Sequence, residues 1–421
     1  MMLDQKTIAV NQYHSLRHIN QSEWNLPIFS QPLLDYELLD IIEEAHVNNL
    51  QHFYFQLLNS QKSVIGRANA YIALTDFATL ESGMSPAVIK VIQGVKKLFP
   101  GFLAFNMLEC GFFTTLGEGV EACEPQYKPA AIQAVAQEME KLTKSHKVDF
   151  LFFRDIPLEA YETYKQILMP MGYLPTLGFP NAVLELAQDN FAAFLQTFNS
   201  KERLKLKNSL LFKEKFNIEC KIIKDYEHLS PELAKLWKNV YQGSKDYSRE
   251  FLDEQFFYTC SQVLKEQSEV ITFWSEGQLI AFMLNLFNRD EYFVLDWGVD
   301  YEFQYYRQAN LYRAASLLSI DQAIKHNKKR VAFGITNYIP KKLVNATIHP
   351  LVYFVKHLNN PLLTYALAAG MKGQIVQPDF GDFWQLHPQL HQYQELDNFI
   401  AQEQSSFFQQ KFSLKIPKRK F

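Results

Sequence analysis

The chain has 421 residues, 48% of them hydrophobic, enough for two or three folded domains with sizeable cores. Its 42 Lys and Arg stand against 45 Asp and Glu, a formal charge of −3, which excludes the global basic field that drives non-specific nucleic-acid binding, so no DNA partner is expected. The four cysteines, Cys110, Cys123, Cys220 and Cys260, form no CxxC pair, no run of about eighteen apolar residues occurs and no signal-peptide pattern opens the chain; the expectation is no metal, no membrane span and a cytoplasmic location.

In chain order, Met1–Pro32 has no clear period, whereas Leu33–Asn48 has the spacing of an acidic amphipathic helix. Leu50–Leu58 and Ser63–Leu74 combine aromatic and β-branched residues, and Asn59–Lys62 between them suits a hairpin. Pro86–Leu98 returns to helical spacing, and Gly101–Glu109 reads as a buried strand. A loop with Thr114, Thr115, Gly117, Glu118 and Gly119 follows, then a helix opened by Pro129 and a strand at Lys147–Phe153. Tyr161–Leu168 predicts a helix, Met171-Gly172-Tyr173 a turn and Asn181–Leu186 the strand that closes the first domain. Composition shifts near Ala187, giving two expected domains, 1–187 and 188–421.

The second half opens on an apolar stretch, Phe191–Phe198, and a cationic helix, Lys201–Phe216, read mainly as a solvated face. Asn217–Ile223 predicts a strand, Pro231–Gln242 and Glu250–Gln267 helices, and Val270–Ser275, Gln278–Asn288 and Glu291–Asp300 three consecutive antiparallel strands. A polar, aromatic turn at Tyr301–Ala309 leads into a helix with Asn310 as its expected N-cap, and Arg330–Gly334 is the next strand. A strand opening through a polar turn onto a helix N-terminus gathers unpaired N–H groups where an anion such as a pyrophosphate would sit. Strand, loop, helix and strand therefore occur twice, at Gly101–Phe153 and at Glu291–Gly334, which we read as a duplicated architecture, the alternative being the commonest α/β unit met twice. The tail holds helical spacing at Pro361–Met371 and Glu395–Phe407, with a basic run, Lys415–Lys420, at its end.

This element order resembles tandem acetyltransferase (GNAT-type) domains. Ser200–Asn359 resembles the FemAB-related domain, through the basic helix Lys201–Lys215, the turn Trp274–Ala281, the segment Asp300–Leu317, and Gly334 with Asn337, Tyr338, Lys341 and Lys342. The resemblance implies an α/β (α+β) fold of two acetyltransferase-like domains with mixed, mainly antiparallel sheets flanked by helices, the first degenerate. It implies an N-acyltransferase that takes acyl-CoA as donor substrate and a small-molecule or peptide amine as acceptor. The alternatives are a transferase using aminoacyl-tRNA and a non-catalytic binding protein on the same fold. The family's phosphate-loop pattern falls on Gln304, Arg307, Gln308, Ala309 and Asn310, with Arg307 where a glycine is usual, so that Arg307 either binds phosphate itself or occludes the site. Glu118 amid the first loop's glycines would repel a pyrophosphate, which places the donor in the second half.

Amine acylation needs a base, an acid for the leaving thiol and a polarised carbonyl. Asp296 is the candidate base, the competing reading being a strand acid satisfied by a structural partner, and Tyr306 or Tyr312 the candidate acid. Thr336, Asn337, Tyr338 and Lys342 are candidates for the acceptor cleft, while Lys341 is expected to be the ordinary surface cation of the lysine pair.

Overall fold

Strands rich in apolar and aromatic residues, the central ones buried on both faces, build two β-sheets, and the computed structural model describes them through residues 8–77, 86–243, 249–335, 338–375 and 388–412. The first half runs β1 (Ala9–Tyr13), α1 (Gln21–Trp24), α2 (Tyr36–Glu44), β2 (Gln51–Leu58), β3 (Val64–Asp76), α3 (Pro86–Leu98), β4 (Ala104–Cys110), β5 (Val120–Ala122), α4 (Lys128–Leu142), β6 (Phe150–Pro157), α5 (Tyr161–Leu168), β7 (Leu174–Leu177) and β8 (Asn181–Glu185). The second runs α6 (Phe191–Gln196), α7 (Ser200–Ser209), α8 (Phe212–Phe216), β9 (Glu219–Ile223), α9 (Ser230–Gly243), α10 (Glu254–Leu264), β10 (Ser268–Ser275), β11 (Gln278–Phe287), β12 (Glu291–Val299), α11 (Tyr306–Ala309), α12 (Leu311–Lys325) and β13 (Arg330–Gly334). It ends in α13 (Tyr338–Lys342), β14 (Thr347–His349), β15 (Leu351–His357), α14 (Pro361–Ile375) and α15 (Pro388–Phe412).

The first sheet has the order β1-β2-β3-β4-β6-β15-β7, with β5 on β3, and the second β14-β8-β13-β12-β11-β10-β9. Each holds one parallel pair, β4 with β6 and β12 with β13, and the other pairings are antiparallel. A parallel pair needs a crossover, and α4 and α12 supply it. The duplicated order read from Gly101–Phe153 and Glu291–Gly334 is therefore present, as β4-α4-β6 and β12-α12-β13.

Local chemistry explains the units. Asn59 Oδ1 accepts from the backbone N–H of Gln61 and Ser63 at 2.9 Å each, closing the β2–β3 hairpin. In α4, Ile132, Val135, Ala136 and Met139 share one face and are wholly buried against the first sheet. Helix α12 is buried on most of its circumference, through Ala314, Ala315, Leu317, Ile320 and Ala323, and fills the core of the second half.

Three features differ from expectation. Asn181–Glu185 forms a strand, but it joins the second sheet between β13 and β14, while β15, from the far end of the chain, enters the first sheet between β6 and β7. The halves thus exchange strands across the composition shift at Ala187. The cationic helix breaks into α7 and α8 around Leu210 and Leu211. Asn310 stands at the N-cap of α12 in the left-handed region, φ 46°, and its side chain makes no capping bond.

Candidate active site

The site begins where the parallel strands part. β12 and β13 pair only from Glu291–Phe293 to Arg330–Ala332, although both continue. A bulge at Leu295 breaks the β12 register against β11, since Asn285 faces Val294 and Leu284 faces Asp296. The first sheet has its own irregularity. Arg154 and Asp155 bulge out of β6, because Phe153 faces Phe354 and Ile156 faces Val352, and Asp155 takes a left-handed φ of 56°. Between these places lies a cavity of about 350 Å³, walled by Thr114–Glu118, Arg154 and Asp155 from the first half and by Val294, Leu295, Phe333, Gly334 and Ile335 from the second. That volume falls in the range of small-molecule sites.

A buried charge cluster backs the first-half wall. Glu109 accepts from Tyr71 Oη at 2.9 Å, from Arg154 Nη1 at 3.3 Å and from Arg249 Nη2. Burial pushes the Glu109 carboxyl up, but the two guanidiniums, Arg249 foremost, hold it below the usual range. Arg154 Nε also donates to Asp155 Oδ2 at 2.8 Å. Burial raises the Asp155 carboxyl above its ordinary value despite that partner. Glu118, which would repel a pyrophosphate if unpaired, is bridged by Lys128 at 2.8 Å.

Asp296 lies behind the second-half wall, where its Oδ1 accepts from Trp237 Nε1 of α9 at 2.9 Å. Burial pushes its carboxyl up to about 7, the neighbouring Glu250 adding to the effect and the Trp237 N–H opposing it. Glu250 itself lines the cavity, and burial raises it as well. The site therefore pairs two carboxyls, one on the cavity wall and one behind it, whose charges disfavour each other near neutral pH.

The other sequence candidates are dispersed. Tyr312 packs edge-on against Trp297, centroids 5.4 Å apart, and burial pushes its phenol up to about 12. Successive strand residues point to opposite faces, so Trp297 lies on the α12 face against Tyr312 of that helix while Asp296 turns toward α9; the structure does not bring Asp296 and Tyr312 together. Tyr306 packs edge-on against Tyr301 at 4.9 Å. Gln304, Arg307, Gln308 and Asn310 are exposed, Ala309 is buried, and none of the five lines the cavity. Phe216 of α8 meets Tyr305 at 5.3 Å, which sets the exposed Lys213 and Lys215 on the helix beside α11. Thr336 and Asn337 lie outside the described residues. Tyr338 is buried, its hydroxyl donating to Pro180 O at 2.7 Å, and Lys342 is partly exposed.

Lys341 corrects the expectation of a surface cation. It is 3% exposed, and its Nζ donates to Gly334 O at 3.0 Å and Ile335 O at 2.8 Å, directly behind the cavity wall. Burial pushes its ammonium down to about 7. A neutral amine has two N–H groups, and two carbonyls receive them. Local pattern could not separate Lys341 from Lys342, since α13 is a five-residue helix, Tyr338–Lys342, and either lysine could face inward. Asp155, Arg249 and Glu250 were also missed. The Arg154-Asp155 pair closing an otherwise apolar strand was the one usable signal.

Comparison with known proteins adds the family. A FemAB-like model, described as peptidoglycan biosynthesis/recognition, matches residues 112–336, just over half of the chain. The chain belongs to the FemAB-like family. The match spans both halves, from the loop after β4 to the end of β13. Two strains of Mycobacterium tuberculosis carry a relative named putative 8-amino-7-oxononanoate synthase 2, 38% identical over 351 residues and 83% of this chain. This FemAB-like chain spans only 45% of the length of those relatives. The crystal structure of FemX is similar over 85% of this chain and 99% of its own, with a TM-score of 0.52 and 12% identity, so the two share a fold. Among the described residues no helix is long and apolar enough to cross a membrane.

Proposed function

We propose that this chain is an N-acyltransferase that moves an acyl group from acyl-CoA to an amine, with the chemistry in the cavity between β12 and β13. The observation that carries this reading is the coincidence of a parallel pair that stops pairing at Phe293, a cavity of about 350 Å³ beside it, and the Asp296–Glu250 pair, with Asp296 near pKa 7. FemAB-like membership and the shared fold support a transferase. In the proposed step the amine nitrogen attacks the thioester carbonyl, a C–N bond forms, the C–S bond breaks, the ammonium proton passes to the carboxyl pair, and the thiolate leaves to be protonated. A base that titrates near neutral pH suits an amine that must lose a proton there.

The donor's phosphates would meet the exposed face formed by α8 and α11, where Lys213, Lys215 and Arg307 present cations. A second reading, with an aminoacyl-tRNA donor, is favoured by family membership and by the same basic face. A thermal-shift titration with coenzyme A separates the two. A concentration-dependent rise in Tm supports the acyl-CoA reading, and no rise with coenzyme A alongside binding of aminoacyl-tRNA replaces it with the second.

A further inference from the structure

One end of the first sheet is surfaced with apolar side chains. Helix α3 brings Ile89, Val91, Ile92, Val95 and Leu98 to it, yet none of its described side chains, from Ile89 to Leu98, is fully buried. Ile89 and Ile92 are half-buried, whereas Val91 is 66% exposed and Leu98 77%. Phe99, directly after the helix, is 66% exposed, and Phe102 is exposed as well. A helix of 13 residues owes its stability in water mainly to an apolar face packed on something else, and the outer face of α3 has no such cover among the described residues.

Strand register brings more of the same to this end. Asp76 of β3 pairs with Ala104 of β4, Met107 of β4 with Phe150 of β6, and Phe150 with His357 of β15. The segment from α3 to β4, the loop before β6 and the start of α14 therefore lie at one end of the sheet. Leu362 and Leu363, in the first turn of α14, are exposed there. The same end is cationic. Lys90 and Lys97 of α3, and Lys144 and Lys147 of the loop, are exposed and pair with no acid among the described residues. Asp76 is taken by Lys96, and Asp149 Oδ2 accepts from the Asn106 N–H at 2.8 Å. Residues 86–104 and 357–371 contain no acid.

Exposure and charge together say what covers this surface. Side chains as exposed as Val91, Leu98 and Phe99 project outward and line no groove, which suits a fluid layer that closes around them better than a shaped protein pocket. Lysines beside projecting Leu and Phe match anionic headgroups over an acyl layer. We propose that this end of the first sheet docks on an anionic lipid bilayer, with α3 lying in the headgroup layer and Leu98, Phe99 and Phe102 reaching below it. The cavity lies beyond the other end of β4, where Cys110 leads into the Thr114–Glu118 wall, so the docking surface is separate from the acyl-transfer reading and does not depend on it.

The test is co-sedimentation of the full chain with vesicles of phosphatidylglycerol and phosphatidylcholine in equal parts, with vesicles of phosphatidylcholine alone as the control. Salt-sensitive binding to the anionic vesicles is expected, and much weaker binding to the neutral ones. Leu98→Asp combined with Phe99→Asp should weaken binding roughly ten-fold or more, since two large apolar side chains leave the acyl layer. Lys144→Gln combined with Lys147→Gln should weaken it roughly ten-fold, through lost attraction to the headgroups. All four positions are exposed, so the variants are expected to fold, which circular dichroism checks. Phe99→Trp gives a readout that removes no contact: its added emission should shift to the blue on anionic vesicles. No binding to either vesicle, equal binding to both, or an unshifted emission in the Phe99→Trp variant overturns the proposal. So does a dimer in analytical ultracentrifugation that the paired Asp substitutions dissociate, because the face then belongs to a second copy of the chain.

Discussion

Two ionisable side chains carry opposite pH signatures. Asp296 has a folded pKa near 7 against an ordinary value of 3.8, so between those values the folded state holds more protons than the unfolded one, and stability falls as pH rises. Asp296→Asn keeps an acceptor for the Trp237 N–H and removes the buried charge. The variant is expected to be more stable than the parent at pH 8 by on the order of 1–3 kcal/mol, read from urea midpoints, with the gain vanishing below about pH 4. If Asp296 is the base, kcat/KM of the parent rises with pH through about 7, and the Asn variant loses that limb. Lys341 runs the other way. Its folded pKa is near 7 and its unfolded value near 10.5, so stability rises as pH climbs from about 7 toward 10.5. Lys341→Met fills the space but leaves the Gly334 and Ile335 carbonyls unpaired, and should cost about 1–3 kcal/mol near pH 10.5, where the parent no longer bears the deprotonation cost, in the same assay. Arg307 is exposed, free to meet a phosphate on the α11 face. Arg307→Ala should weaken coenzyme A by roughly ten- to a hundred-fold, as loss of a charge-assisted hydrogen bond does. Tighter binding in Arg307→Gly would show that the arginine occludes instead.

The element that sets the carboxyl pair is β12 with α9 lying on it. Asn239 Nδ2 donates to Val299 O at 3.1 Å, and Trp237 reaches Asp296, so the helix is pinned to the strand at two points. The close approach needs a residue without a side chain at position 298. A Cβ there would meet the Phe282 ring and come within 2.8 Å of the Trp237 backbone nitrogen. Gly298→Ala should therefore push α9 outward and cost about 1–3 kcal/mol, as overpacking does. Tryptophan fluorescence should register the movement of Trp237, and an unshifted emission with an unchanged urea midpoint would show that the helix has room to spare.

At the scale of the molecule, the exchange of β8 and β15 ties the halves together. Without residues 188–421 the first sheet loses β15, leaving one edge of β6 unpaired and β7 detached, and the buried Val352 and Phe354 disappear from its core. Without residues 1–187 the second sheet loses β8, and with it the partner of β13 and β14. Neither fragment is expected to give a dispersed, folded NMR spectrum alone, and the intact chain should unfold in a single calorimetric transition. Two resolved transitions would show that the sheets are energetically independent despite the exchange.

By itself the sequence determined most of the longer elements, though not the strand β15, since helix spacing, strand composition and turn residues are local. Examples are the α4 face of Ile132, Val135 and Met139, the Asn59 hairpin and the limits of β13. Pairing is not local. β8, with Ala182, Val183 and Leu184 all apolar, suits either sheet, and the short strands β1, β7 and β14 hold too few residues to show a period, so only the three-dimensional packing assigned them. The same limit governs the site. Asp296 stood out as an acid in a strand beside a polar turn, but Glu250 became its neighbour, and Asp155 came to line one cavity with Phe333 and Gly334, through the packing of remote segments. Lys341 parted from Lys342 because helix α13 turns one of two adjacent residues inward, and which one depends on the wall that β13 presents. Burial makes these side chains chemically unusual, and burial is a property of the folded whole.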